Sequence, residues 1–481
     1  MACEQPKRRH HALAVALPGQ GHMNAMMRLC KRLAIQEAFT ITFLEILPST
    51  DQQLPLELHQ QRGRVAAAAE DGRLDIRRVR IAIPDLSQGS LMAASGAGAM
   101  EIFIATLSSM GPQIEEVLQQ HHDPPITCLI SDVFITAPTQ RVADKLNLPR
   151  VALYPCSQSL LLLANYIQEG ALISLEEVLK VVEGRDMLKD NIFKRALPGL
   201  PTLKVRDLVD HHAENQLLYE FGFQAMHETK SRAHAIVINT FKEIEEDALK
   251  VNIGIPIYAI GPLVETLEKE VNTSFWKEDE ACMLWLDSQP RSSVLFVSFG
   301  SGACLSLPQF EEFMAGILLS KQRFLWVFRP NLVKDAPFTT FPEEFISKCH
   351  GKCYVTHWAP QVKVLSHPSI CGFLTHCGWN STLEAMNHGV PMLCFPYIGD
   401  QFLNAKFIIE EWKVGLGFEE NKQSKLIEKE EILRVIQMLL ETKEGECLYN
   451  NAKYFREACA LNYLPEGSAF NNIRSMVLSL P

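Results

Sequence analysis

Two stretches of the chain carry side chains whose types and spacing could do chemistry. The first, FLTHCGWNSTLEAMNHG from Phe373 to Gly389, gathers His376, Asn380, Ser381 and Glu384 at a strand-to-helix turn. A helix start leaves backbone N–H groups unpaired and carries partial positive charge, so it binds anions, phosphates above all. His376, Asn380 and Ser381 would add side-chain donors at the same place. The same residues also fit an ordinary capped helix, with Ser381 and Glu384 as a capping box and Gly389 followed by Pro391 as the stop signal. Spacing alone leaves both readings open. The second stretch, PGQGHMN, follows the apolar run ALAVAL and sets His22 at the turn into a helix. A neutral imidazole can take a proton near neutral pH. A lone His in that place is nevertheless more often a cap or a surface residue. Asp132, in ISDVF, ends another apolar run, and taken alone it reads as a helix N-cap.

Turns of this kind need strands and helices to aim them. ALAVAL (Ala12–Leu17) is a continuous apolar run, as a strand buried on both faces requires. Met23, Met26, Met27, Cys30, Leu33 and Ala34 then recur at helical spacing. FTITFLEI (Phe39–Ile46), ITCLI (Ile126–Ile130), RVALY (Arg150–Tyr154) and AIVIN (Ala235–Asn239) read as further strands. The second half repeats the plan with SVLFVS (Ser293–Ser298), RFLWVF (Arg323–Phe328), KCYVTH (Lys352–His357), ICGFLT (Ile370–Thr375) and PMLCF (Pro391–Phe395). Strands alternating with helices imply parallel sheets covered on both faces. Two doubly wound α/β domains would face each other across a cleft, with ligands at the carboxyl ends of the strands. The segment around Gly261–Trp276 turns polar and acidic and reads as the linker. The tail GSAFNNIRSMVLSL reads as a capped helix with Phe470, Ile473 and Val477 on one face.

The bulk numbers set bounds. A chain of 481 residues is too long for one ordinary core, so two domains are expected. With 47% hydrophobic and 21% charged residues it belongs among soluble globular proteins. A net charge of −10 argues against nucleic acid as a general partner. The 13 cysteines include no CxxC pair, which suggests reduced thiols in the cytoplasm. Cys349, His350, Cys353 and His357 are poorly spaced for zinc and read as a strand with buried thiols. The basic KRRHH and the apolar run after it fall short of the ~7–15 residues of a signal's apolar region. The run Leu160–Leu163 falls far short of the ~20 residues of a membrane span. Neither a secretory signal nor a span is expected.

From Trp358 to Gln401 the chain reads WAPQVKVLSHPSICGFLTHCGWNSTLEAMNHGVPMLCFPYIGDQ. This 44-residue block resembles the signature box of plant secondary-product glycosyltransferases, members of family 1 of the UDP-glycosyltransferases. The match includes the opening WAPQ, the HCGWNS core, the following Glu, the GVP and the closing DQ. The resemblance implies a GT-B fold of two Rossmann-like domains, residues 1–260 for the acceptor and 277–460 for the UDP-sugar. A linker at 261–276 would join them, and a C-terminal helix at 461–481 would cross back to the first domain. It also implies roles. Trp358 would stack on the uracil with Ala359 beside it, and Gln361 would help hold the nucleoside. Glu384 would accept from both ribose hydroxyls, a good use of a two-oxygen acceptor. His376, Asn380, Ser381 and Ser301 would bind the diphosphate, and Trp379, Asp400 and Gln401 would meet the sugar. A closing Gln resembles the glucose users. The family pattern makes His22 the catalytic base and Asp132 the carboxylate that orients it.

The activity so implied is transfer of glucose from UDP-glucose, a co-substrate, to a hydroxyl of a small apolar acceptor, with inversion to a β-glucoside. No Asp-x-Asp pair occurs, so no metal is expected, and no other cofactor. Preorganised donors can supply roughly 3–4 kcal/mol each instead. A monomer is expected. In one departure from the pattern, Ala25 replaces the proline of GHxNP, which would touch helix entry rather than the base. Tyr397 and Gly399 lie where the family varies and could alter the sugar pocket. The acceptor pocket would come mainly from Leu86–Met100 and Leu160–Leu218, which carry no decisive motif. Two rivals stand beside this reading. An NAD-dependent oxidoreductase could use Gly19-x-Gly21 and Glu45, but its third glycine is missing because position 24 is Asn. A non-catalytic UDP-sugar-binding protein would keep the donor box with an idle base.

Overall fold

The structure, a computed structural model, describes residues 10–48, 65–66, 74–83, 97–170, 197–204, 207, 216–264, 278–334 and 341–481. Most of Leu86–Met100, much of Leu160–Leu218 and residues 265–276 of the expected linker lie outside these. The apolar runs form the strands of two sheets. The first holds β1 (His11–Val15), β2 (Thr40–Pro48), β3 (Val65–Ala66), β4 (Ile76–Ile83), β5 (Cys128–Asp132), β6 (Arg150–Tyr154), β7 (Ala235–Ile238) and β8 (Ile257–Ala259). Their order is β3-β4-β2-β1-β5-β6-β7-β8, and only the β3–β4 pair is antiparallel among these strands. The second sheet holds β9 (Val294–Ser298), β10 (Arg323–Val327), β11 (Cys353–Thr356), β12 (Ile370–Thr375), β13 (Met392–Cys394) and β14 (Gly415–Gly417). It runs β11-β10-β9-β12-β13-β14, parallel throughout.

Strands β1, β5, β6, β9 and β12 are buried at every residue, which is why each reads as a largely apolar run, with polar residues such as His11, Asp132 and Arg150 at the ends. Both sheets reverse direction beside their first strand. The chain moves outward one way from β1 and from β9, then returns at β5 and at β12 to move the other way. The two crevices so formed, β1/β5 and β9/β12, are where a doubly wound sheet binds ligands.

The lobes share a core. Phe241 and Ile244 of the first pack in one apolar cluster with Trp379, Phe407 and Trp412 of the second, and Trp412 Nε1 donates to Ile244 O at 3.0 Å. Burying such side chains contributes about 1.5–3 kcal/mol each. The helix Lys443–Tyr463 continues through position 460 and is followed by the helix Ser468–Ser479. Ile473, Met476 and Val477 of that last helix enter the core of the first sheet, with Ala12, Met26 and Phe43. Asn472 Nδ2 donates to Ala259 O of β8 at 2.7 Å. Phe470 is only half-buried, and Met476 takes the place beside Ile473 that periodicity gave it. Among the described residues no helix is long and apolar enough to cross a membrane.

Candidate active site

Strand β1 delivers the chain to Gly19, whose extended backbone opens the helix Gln20–Glu37. His22 therefore sits in the first turn and Ala25 in the second, past the helix entry. The neighbouring β5 ends at Asp132, with Val15 beside Ser131. His22 Nδ1 and Asp132 Oδ2 are 2.6 Å apart. Asp132 Oδ1 accepts from the Phe134 amide at 2.9 Å and caps the turn Val133–Ile135. The two readings of Asp132, cap and charge partner, hold together because each uses one oxygen. The Asp132 side chain is fully buried, whereas His22 keeps 25% of its side-chain surface exposed. The Phe134 ring packs edge-on against His22 at 5.5 Å. Burial pulls the imidazole pKa down, but the Asp132 charge and hydrogen bond, helped by Asp400, leave it raised above 6.5.

In the second sheet, the helix after β12 spans Trp379–His388, with Gly378 as N-cap and Gly389 as its left-handed C-cap. This corrects the capping box. Cys377 takes a positive φ of 63° and starts the helix early, so Ser381 is the third helical residue and caps nothing. Its hydroxyl accepts from Gln361 Nε2 at 2.9 Å. Glu384 accepts from Gln361 at 2.7 Å through Oε2 and from Arg28 Nη2 at 2.8 Å through Oε1. The Thr382 amide bonds back to Gly378 O at 2.9 Å, leaving the amides of Trp379 to Ser381 at the open end of the ladder. His376 lies beside Gly300, which has φ of +68°; a Cβ there would come within 2.4 Å of the imidazole. His376 Nδ1 is buried and meets no partner among the described residues. Burial, with the Arg329 charge adding to it, brings this imidazole down to about 4, so it is neutral at pH 7.

One cavity joins the two crevices. From the first lobe it is lined by Gln20, Gly21, His22, Asn24, Arg28, Pro155 and Cys156. From the second it is lined by Ser301, Trp358, Ala359, Gln361, His376, Trp379, Asn380, Ser381, Glu384 and Asp400, among others. Asp132 stands behind His22. Gln401 also lies outside the lining, because its Oε1 accepts from the Tyr397 and Ile398 amides at 2.8 and 2.9 Å. It shapes the turn that brings Asp400 to the cleft. Burial pushes the Asp400 carboxyl up, against the opposing hydrogen bond from Asn404 and the charge of His22.

Three side-chain bonds cross the cleft floor. Trp379 Nε1 donates to Asn239 O at 2.7 Å, Asn239 Nδ2 to Asn380 Oδ1 at 3.2 Å, and Asn380 Nδ2 to Gly21 O at 2.9 Å. A Cβ on Gly21 would stand 3.0 Å from that amide nitrogen, so a side chain there would press on Asn380. The Trp379 N–H and the Asn380 carboxamide are thus occupied between the lobes. Cys349 Sγ bonds Phe345 O and His357 Nδ1 bonds Phe328 O. Among the described residues no three His, Cys, Asp or Glu side chains gather as metal ligands. Arg28, Asn239 and Gly300 were not singled out from sequence. Asn239 and Gly300 follow strands β7 and β9, where the rule for strand ends applies. Arg28 is a charge inside the apolar run Met26–Cys30.

Residues 270–442 match the family model described as UDP-glucoronosyl and UDP-glucosyl transferase. UDP-glycosyltransferase 85A7 of Arabidopsis thaliana is 31% identical over 489 residues, covering 97% of this chain and 96% of that protein. This chain belongs to the plant UDP-glycosyltransferases. This UDP-glycosyltransferase is also 31% identical to 7-deoxyloganetin glucosyltransferase of Gardenia jasminoides, over 98% of this chain and 97% of that one. Its two facing sheets form the GT-B fold. The structure of Phytolacca americana UGT2 complexed with UDP-2fluoro-glucose and pterostilbene matches with a TM-score of 0.78 and 26% identity, covering 98% and 100% of the chains. Medicago truncatula UGT71G1 complexed with UDP-glucose matches with a TM-score of 0.79 and 25% identity, covering 98% and 99%. A glycosyltransferase has no use for the dinucleotide fingerprint, and the oxidoreductase and idle-base readings fall away.

Proposed function

We propose that this UDP-glycosyltransferase transfers glucose from UDP-glucose to a hydroxyl of a small, largely apolar plant metabolite, with inversion and without a metal ion. The observation that carries this reading is the meeting of the His22–Asp132 pair with the His376–Ser381 helix start in one cavity. The first lobe binds the acceptor and the second the donor.

With its Nδ1 proton held by Asp132, His22 keeps Nε2 as the free basic nitrogen. The acceptor O–H proton passes to Nε2 as the oxygen bonds to the anomeric carbon. The bond from that carbon to the diphosphate oxygen breaks, and UDP leaves with the electron pair. Attack opposite the leaving group turns an α-linked donor into a β-glucoside. Asp132 stabilises the imidazolium so formed. The open amides of Trp379 to Ser381, the helix dipole and the neutral His376 meet the charge that grows on the diphosphate. Metal independence is supported by this donor set and by the absence of an Asp-x-Asp pair. Glucose is supported by relatives named as glucosyltransferases.

A mass-spectrometric screen of the purified chain, pairing UDP-glucose, UDP-galactose and UDP-glucuronate with a mixed acceptor library in chelator, tests this. Hexose transfer from UDP-glucose above the other donors, with a β-anomeric product by NMR, is the expected result. No transfer from any UDP-sugar, or an α-product, would overturn it.

A further inference from the structure

Arg28 has no place in the chemistry above, yet it reaches the cavity from the first lobe. It lies on the helix Gln20–Glu37, six residues after His22, and its side chain is 8% exposed. Its helical neighbours Met26, Met27, Leu29 and Cys30 are buried and apolar. A guanidinium placed there costs several kcal/mol of lost hydration unless it is paired. It has two partners on separate parts of the chain. Nη1 donates to Leu263 O at 3.0 Å, at the start of the connection between the lobes. Nη2 donates to Glu384 Oε1 at 2.8 Å, on the helix that opens the second crevice. Arg32, one turn further on, donates to the adjoining Pro262 O at 3.3 Å, and its guanidinium lies over the Tyr463 ring. The Arg28 side of the helix is therefore anchored.

The geometry decides whether Arg28 blocks Glu384 or aims it. A carboxylate offers about four acceptor positions. Arg28 occupies one on Oε1 and Gln361 one on Oε2, so each oxygen keeps a position for a hydroxyl. The planar fork of Arg28 spans a fixed carbonyl and the carboxylate at once, which sets the rotation of the Glu384 side chain. We infer that Arg28 is a positioning residue for donor recognition: from the acceptor lobe it holds Glu384 in the orientation that reads the ribose hydroxyls. The inference rests on the UDP-sugar reading of the cavity. It makes the nucleotide site a product of both lobes rather than of the second alone.

Loss of one charge-assisted hydrogen bond should weaken the ribose contact about ten-fold. Calorimetry of the full chain with UDP and with 2′-deoxy-UDP, for the wild type, Arg28→Gln and Arg28→Lys, reads this out. Melting curves verify that each variant folds. The expected result is a UDP Kd raised about ten-fold in Arg28→Gln, with a much smaller change for 2′-deoxy-UDP, so that the preference for the hydroxyl shrinks. Lys keeps the buried charge but cannot fork, and should fall between the two; it carries the test if the Gln variant does not fold. In turnover, the loss should appear in KM for the donor and not in kcat. Equal weakening for both nucleotides, or an unchanged ratio in both variants, would overturn the inference while leaving the proposed function intact. No UDP binding by the wild type would overturn both.

Discussion

His22 and Asp132, 110 residues apart in the chain, face each other at 2.6 Å across the switch point of the first sheet, and the same carboxylate caps the turn that follows it. One buried side chain thus orients the base and fixes the local backbone. Substitutions can separate these duties. Asp132→Asn keeps an oxygen for the Phe134 amide and removes the charge, so it should leave folding and UDP binding in place while kcat falls ~10²–10⁴-fold. Asp132→Ala should lose the cap as well and melt lower by about 1 kcal/mol of stability. Steady-state kinetics beside thermal melting of both variants would check this; an Asn variant with wild-type kcat would contradict the pairing.

The pH dependence follows from the raised pKa of His22. The base must be neutral to act, so kcat/KM should climb along a limb centred above 6.5. Asp132→Asn should move that limb down, since the charge that raises it is gone. The sign for stability is opposite. A folded-state pKa above the unfolded one adds stability that is full below 6.5 and lost as pH rises through the raised value. His376 behaves in reverse: between 6.5 and about 4 the unfolded chain binds its proton and the native one does not, so stability falls as pH falls through that window. Melting temperature against pH for the wild type, His22→Gln and His376→Gln would separate the two contributions.

Much of this site was legible as sequence because its parts lie at the ends of apolar strands. ALAVAL, RVALY and ICGFLT map onto β1, β6 and β12 with little error; His376 follows β12 directly, and His22 sits in the first turn of the helix after β1. Strand β4 escaped because IRRVRIAI hides its pattern under arginines; Arg78 and Arg80 both reach Glu45 of β2, at 3.0 and 2.7 Å. Strand β14, GLG, has too few side chains to show a period. The start of the helix after β12 was misplaced because Ser381-to-Glu384 has the spacing of a capping box, while the positive φ of Cys377 leaves no trace in composition. Arg28 escaped for a different reason: its partners, Glu384 and Leu263, lie hundreds of residues away, and nothing local marks a pair made by the meeting of two lobes.

Gly300 should tolerate no side chain. Its φ of +68° already disfavours L-residues, and a Cβ would collide with His376 at 2.4 Å. Gly300→Ala should displace that imidazole and weaken UDP-glucose binding by at least about ten-fold, the worth of one charge-assisted bond. Its melting temperature should fall modestly. Calorimetry with UDP against uridine tells the cases apart, since only the diphosphate contact should be lost.

Trp358, half-buried at the end of β11 and facing the cavity, should carry the uracil by its ring face alone. Trp358→Ala should cost about 1–3 kcal/mol of UDP affinity and Trp358→Phe much less, the range for base–aromatic stacking. Equal losses for Ala and Phe would point to a structural role instead.

The most direct measurement compares wild type and His22→Ala in one experiment, with UDP affinity by calorimetry and UDP release from UDP-glucose in the presence of an accepted hydroxyl compound. Unchanged affinity with release reduced at least ~10²-fold is the expected result. Release at the wild-type rate from His22→Ala would show that another group takes the proton, and a wild-type chain that gives no heat with UDP would remove the donor site itself.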